Sequence, residues 1–406
     1  MSKRGLSPSA KNAVFIGVLC SIAYLAVYLA RNILGAVTPF ILEEGVFDEN
    51  QTGALSSLFF IAYAIGQLIN GVIGDKIKAK YMISAGLFLA GISNLVFGFC
   101  THSFTTVYVA YGFTGFFLSM IYGPMTKVVS ENTDPIYAPR CALGYTFSSF
   151  FGSPLAGILA ATVVWQSVFS ISSIALMLMG IICMAVFTVF EKKKIVQYGV
   201  YKPPQKSDGG IKILLKRKIV KFTFISIITG VVRTTVVFWL PTYISQHLGF
   251  STTESSVLFT VATLFVSASA FVAIFVYELL GRKMELTVLL SFILATIFFI
   301  LTYFVKLPYF NLAVIVLGII CSNAAATMMW SRYCPSLCDT GMVSSATGFL
   351  DFVSYMSASL SSSVFASLVT SAGWGVVILI WVALMLLATV ISLPWARIRG
   401  KQDDFI

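Results

Sequence analysis

The sequence predicts an all-α membrane protein: twelve transmembrane helices arranged as two pseudo-symmetric six-helix halves. Three observations carry this expectation. The 406 residues are 58% hydrophobic and only 11% charged, with 35 Phe and 17 Tyr. Mean hydropathy is +0.91. A soluble domain carries roughly 25% charged residues, so this chain cannot cover a globule of its size with polar surface, and lipid must be its main solvent. The second observation is a set of twelve apolar runs, and the third is an internal repeat.

A spanning helix needs about 20 apolar residues. Such runs fall near 14–40, 53–74, 82–100, 104–129, 142–164, 168–190, 219–246, 255–280, 286–304, 309–331, 342–370 and 374–396. Most connections are short. The exception, 191–218, is polar and basic, with Lys192, Lys193, Lys194, Pro203, Pro204, Asp208, Gly209 and Gly210. It divides the chain into an N-terminal half (1–190), a central loop and a C-terminal half (219–406).

Charge then sets the expected orientation. With the N-terminus placed inside, 24 of the 27 Lys and Arg residues fall on the inner side and only Lys306 on the outer. Acids lean outward after the first helix, at Glu43, Glu44, Asp48 and Glu49. Positive charge in short loops marks the cytoplasmic side, so both termini and the central loop are expected there. Short loops point to a bacterial inner membrane. Lys192–Lys194 is read as a topology signal beside anionic lipid. The remaining two cations, Arg31 and Arg233, lie inside helices.

The halves repeat. Arg31 is followed eight residues on by Pro39, and Arg233 eight residues on by Pro241. The second helix of the first half ends at Gly71-Val-Ile-Gly-Asp75-Lys76, and the matching point of the second half reads Tyr277-Glu278-Leu-Leu-Gly281-Arg282-Lys283. The offsets are 202 for the arginines and 203 from Asp75 to Glu278. Two halves of parallel repeat imply a binding site near the midplane between them.

Candidate site residues follow from cost. An arginine at the bilayer centre costs roughly 2.5–3.5 kcal/mol on insertion scales, so it faces a polar cavity or a partner. A guanidinium fork binds carboxylate and phosphate oxygens in bidentate fashion and keeps its charge at neutral pH. Arg31 and Arg233 are therefore anion-binding candidates, with a structural ion pair or a carbonyl cap as the other reading. Tyr28 lies one turn before Arg31 on the same face. Tyr63 and Gln67 share a face of the second helix, and Tyr122, Trp239 and Asn323 are further substrate-binding candidates. Asp351 is the acid well inside a span, about 14 Å from the inner end of its helix. It could pair with Arg233, carry a proton or bind a substrate amine. Gly71, Asp75 and Lys76 form a turn suited to a gating latch.

The stretch Leu55–Lys76 (LSSLFFIAYAIGQLINGVIGDK) resembles the second helix of the organophosphate:phosphate antiporters of the major facilitator superfamily, which include glycerol-3-phosphate and hexose-phosphate transporters. The preceding Glu43-Glu44-Gly45 turn is similar, as are Arg31, Arg233 with Trp239-Leu-Pro241-Thr-Tyr243, and Gly348-Phe349. The resemblance implies that Arg31 and Arg233 hold the substrate's acidic group, with Tyr63 beside them. The family commonly has a lysine where this chain has Gln67, and a histidine near Phe150 or Phe151. Those departures leave two in-span cations and widen the expected substrate to a phosphate ester, a carboxylate or a sulfonate.

The expected function is alternating-access transport of a small organic anion, by exchange or coupled to a proton or ion. A proton-coupled exporter of another solute and a transporter-like ligand sensor are the alternatives. No ATP-cradling GxxxxGK[ST], HExxH or GxSxG motif is present, so no enzymatic activity is expected. No cofactor, metal or nucleic acid is expected either. The seven cysteines, at 20, 100, 141, 183, 321, 334 and 338, read as packing residues. The partners are the substrate, a counter-anion or proton, and the bilayer, and the chain is expected to be a monomer.

Overall fold

The structure is a computed structural model, and it describes residues 7–134, 137–198, 214–334, 336–337 and 343–394. Among these residues the chain forms twelve helical spans. In the first half they are α1 (Pro8–Glu43), α2 (Glu49–Lys76), α3 (Ala79–Phe99), α4 (Phe104–Asn132), α5 (Ala138–Thr162) and α6 (Trp165–Lys192). In the second they are α7 (Ile219–His247), α8 (Thr252–Leu279), α9 (Met284–Phe304) and α10 (Pro308–Tyr333), then α11 and α12. The last two come from one helical run, Val343–Ser392, broken at Gly373. Gly373 has φ +76°, a backbone region that costs a side-chain-bearing residue strain. The run therefore splits into 343–372 and 374–392. Among the described residues ten helices are long and apolar enough to cross a membrane, counting 346–392 as one.

The chain clusters into two compact units, Met1–Pro203 and Pro204–Ile406. In the first unit α1 packs on α5, α2 on α4 and α3 on both α4 and α6. Small residues allow these approaches, as membrane helices without a hydrophobic drive between them require. A Cβ on Gly91 of α3 would come 2.8 Å from the Ser173 carbonyl of α6, and one on Gly180 of α6 2.9 Å from the Ser84 carbonyl of α3. Buried polar groups add to the same contacts. Asn94 Nδ2 donates to Ser172 Oγ at 2.8 Å and Ser173 Oγ at 3.1 Å. Asn70 Nδ2 donates to Ser119 Oγ at 2.8 Å, joining α2 to α4.

In the second unit α7 lies along α11 in parallel. Ser226 Oγ donates to the Leu350 carbonyl (2.7 Å), Ser357 Oγ to the Ile227 carbonyl (3.0 Å) and Thr235 Oγ1 to the Ala358 carbonyl (3.0 Å). Gly230 sits against Ser354, where a Cβ would meet the Ser354 carbonyl at 2.5 Å. Tyr243 OH donates to Asn311 Oδ1 at 2.6 Å, tying α7 to α10. Large apolar side chains such as Phe265, Phe271, Phe275 and Phe304 are exposed, the surface a bilayer would cover.

The repeat extends to hydrogen bonds that its spacing alone did not reveal. α1 and α7 both end at a glycine with positive φ, Gly45 at +65° and Gly249 at +79°. α2 and α8 both begin with a capping box, Asp48 with Gln51 and Ser251 with Glu254, which satisfies two otherwise unpaired N–H groups. The first residues of α6 and α12 are equivalent as well. Trp165 Nε1 donates to Glu44 Oε2 at 2.8 Å, and Trp374 Nε1 to Gln246 Oε1 at 3.2 Å. Each bond ties the last helix of a half to the end of its first. The Glu44 acceptor is charged, and Glu44 faces solvent, so its bond should contribute about 1.5 kcal/mol, against roughly 0.5–1 for the neutral pair. Trp165→Phe is thus expected to lower the thermal unfolding temperature in detergent more than Trp374→Phe does. An equal or reversed order would show that ring packing, not the bond, sets the effect.

At the opposite end, where each first helix starts, one carboxylate bridges two lysines in both units. Glu191 accepts from Lys78 at 2.7 Å and from Lys80. Glu285 accepts from Lys218 at 3.0 Å and lies 3.6 Å from Lys221. Lys127 Nζ donates to the Gly74 carbonyl at 3.1 Å, joining the ends of α4 and α2.

Candidate functional site

Arg31 is built into the middle of α1, a 36-residue helix that passes through Pro39 without breaking. It is 8% exposed, deep in an apolar unit. Its guanidinium carbon lies 5.2 Å from the ring centroid of Tyr28, 5.3 Å from Phe60 and 5.6 Å from Tyr63. Cation–π attraction acts within about 6 Å and strengthens where water is excluded, so these rings hold the cation. Tyr28 comes from one turn earlier on α1. Phe60 and Tyr63 are three apart on α2 and so share its face. Of the two, the sequence singled out Tyr63 and missed Phe60. The i, i+3 spacing to Tyr63 was the available signal.

Tyr28 also opens a second group of rings. Its centroid is 5.0 Å from that of Tyr24, which lies 5.7 Å from Tyr122 of α4 and 5.9 Å from Tyr145 of α5. Tyr122 and Tyr145 are 6.2 Å apart. α5 can come this close because of Gly152, where a Cβ would sit 2.5 Å from Tyr28 Cβ and 2.7 Å from its carbonyl carbon. Tyr24 and Tyr145 were not foreseen. Tyr24 completes an i, i+4, i+7 stripe with Tyr28 and Arg31, whereas nothing local marks Tyr145. Gln67 lies one turn beyond Tyr63 on α2, half-buried.

In the second unit Arg233 is half-buried on α7, inside a π-helical turn, Val231–Val236. A second π turn, Tyr243–His247, follows Pro241, and a third, Met329–Tyr333, ends α10. Among the described helices of the first unit there is none. π turns are rare and concentrate at functional sites. Trp239 is wholly enclosed, and Asn323 nearly so. Trp239 Nε1, Asn323 Oδ1 and Thr234 Oγ1 have no hydrogen-bond partner among the described residues. Buried polar atoms of this kind call for a bound water or ligand.

Asp351 lies on α11, half-buried, where that helix runs along α7. On the α7–α11 register it faces residue 227, and Arg233 sits about 9 Å further along. Helical side chains lean toward the start of their helix, so Arg233 leans back toward the level of Asp351. Burial pushes the Cys334 thiol, just past the end of α10, up to about 11, and the charge of Asp351 adds to the rise. Gly71, Asp75 and Lys76 form the last turns of α2, and their side chains lie outside the described ones. Six cysteines are free thiols, and Cys338 is outside the described residues.

The described residues thus form two units of six helical spans each, with an arginine in the middle of α1 faced by three aromatic rings. Residues 20–362 match the family description Major Facilitator Superfamily, and the chain belongs to that superfamily, whose members are transporters rather than enzymes. Among curated relatives it is similar to the Membrane sensor protein UhpC of Escherichia coli, 35% identical over 80 residues, or 20% of this chain and 18% of that protein. It is 25% identical to the Glycerol-3-phosphate transporter of Bacillus subtilis over 267 residues, 60% of this chain and 59% of the relative. It is 24% identical to the Phosphoglycerate transporter protein of Salmonella typhimurium over 393 residues, 89% and 83% of the two chains. The alignments with the first two thus span less than two thirds of those relatives. Among solved structures, a bacterial homolog of the human lysosomal transporter Spinster superposes with a TM-score of 0.74 at 11% identity, covering 98% of this chain and 100% of that one. That likeness concerns the fold.

Proposed function

We propose that the chain is a secondary active transporter of a small organic anion (a phosphate ester, a carboxylate or a sulfonate) working by alternating access and driven by exchange or by a coupled proton or ion. The observation that carries this reading is Arg31, a guanidinium buried in mid-helix and faced by three aromatic rings. A guanidinium keeps its charge at neutral pH, and its planar fork matches the oxygens of an acidic head group. The glycerol-3-phosphate and phosphoglycerate transporters among the relatives support an anionic substrate. Arg233, at the equivalent point of the repeat, is assigned the same role in the second half. Gln67, Trp239 and Asn323 are assigned to the rest of the substrate. Asp351 is the coupling or ion-pairing acid, and Gly71, Asp75 and Lys76 form the gate. The charge asymmetry of the loops supports a cytoplasmic side for both termini, and the short loops support a bacterial inner membrane.

The similarity to the Membrane sensor protein UhpC favours one second reading, a transporter-like sensor that binds a ligand and signals. Flux separates the two. Purified protein in liposomes loaded with phosphate should take up radiolabelled glycerol phosphate, glucuronate or benzenesulfonate at least severalfold faster than empty liposomes. Binding of any of these without flux would support the sensor and overturn the carrier.

A further inference from the structure

We propose that the tyrosine cluster beside Arg31 is a second subsite that takes a flat aromatic body, so that the preferred substrate is an aryl carboxylate or aryl sulfonate rather than a polyol acid. The inference rests on the anion-site reading of Arg31 and adds the chemistry of the substrate's other end. Tyr24, Tyr28 and Arg31 are spaced i, i+4 and i+7 and form one stripe of α1. Tyr24 lies about 10 Å from Arg31 along the axis, so a molecule whose acid meets Arg31 extends its body over the rings.

The rings differ in exposure. Tyr24 and Tyr145 are 7% and 3% exposed, Tyr28 is half-buried and Tyr122 is 39% exposed. The first two form a floor, and Tyr28 and Tyr122 are the more exposed rings beside it. The rings meet at 5.0–6.2 Å, with Tyr24 edge-on to both Tyr28 and Tyr145. Aromatic pairs prefer this edge-to-face or offset geometry at 4.5–7 Å, and an inserted aryl ring would extend it. Thr126 Oγ1 donates to the Tyr122 carbonyl at 2.9 Å, within α4. Ring contacts with Tyr122 join the floor to α4. Each tyrosine also carries a hydroxyl, so polyol acids are compared directly with aryl acids.

Thermal shift of the purified full chain tests this with benzoate, benzenesulfonate, glycerol phosphate, glucuronate and inorganic phosphate. The aryl acids should stabilise at lower concentrations than the polyol acids. Tyr122→Ala should weaken the aryl acids by roughly two- to tenfold, the range for one aromatic pair, and leave inorganic phosphate unchanged. Tyr122→Phe should keep aryl binding. Stabilisation by glycerol phosphate or glucuronate with none by the aryl acids would overturn the aryl subsite and leave the anion reading standing. Equal losses for aryl and inorganic anions in Tyr122→Ala would make the cluster plain packing. No response to any acid would overturn both.

Discussion

Arg31→Lys is expected to reduce anion binding and transport by roughly ten- to a hundredfold while the protein still inserts and folds. Lysine keeps the charge, so the cost of a cation at this depth is nearly unchanged. What it loses is the planar fork. One charge-assisted hydrogen bond contributes about 1.5–3 kcal/mol, which matches the expected loss. The ammonium is also more strongly hydrated and cannot stack flat on a ring. Its contact with Tyr28, Phe60 and Tyr63, now at 5.2–5.6 Å, would weaken. Protein yield and unfolding temperature should stay near wild type, which separates a binding defect from a folding one. Arg31→Gln, without the charge, should bind no anion. Wild-type affinity and flux in Arg31→Lys would show that no bidentate acid group meets this residue.

Gly152→Ala is expected to destabilise the first unit by about 1–3 kcal/mol, the cost of overpacking a filled site. The added Cβ would lie 2.5 Å from Tyr28 Cβ, 2.7 Å from the carbonyl carbon and 2.8 Å from the carbonyl oxygen of Tyr28. Two of these are backbone atoms, so no rotamer change can relieve the clash and α5 must move off α1. That movement shifts Tyr28, and with it one ring on Arg31 and one end of the tyrosine cluster. Anion affinity should therefore fall together with unfolding temperature. Gly123→Ala is the control. Nothing lies within 4 Å of its new Cβ, and replacing glycine inside a helix should stabilise by roughly 0.5–1 kcal/mol. If both variants melt like wild type, the close approach of α1 and α5 does not hold the site together.

Much of the architecture was legible in the sequence because it is local or periodic. A run of 20 apolar residues reports a span wherever its neighbours lie. Arg31 and Arg233 stand out because a charge in such a run is costly in itself. The shared offset of 202–203 showed the repeat, and the Gly45 and Gly249 ends and the two capping boxes extend it. The break between α11 and α12 was expected within a few residues of Gly373, where the backbone requires glycine.

What surrounds Arg31 was decided only by tertiary structure. Phe60 reaches Arg31 from another helix, and Tyr145 reaches Tyr24 from a third. Such meetings depend on how far each helix is rotated and how closely it approaches, which Gly152 sets against Tyr28 and Gly230 against Ser354. The π turn around Arg233 likewise arises in one repeat and not the other, although Arg-x7-Pro is present in both. Hydropathy fixes which residues enter the membrane, because each transfer depends on one side chain and its solvent. Which side chains then meet depends on the packing of several helices at once, and no single segment encodes that.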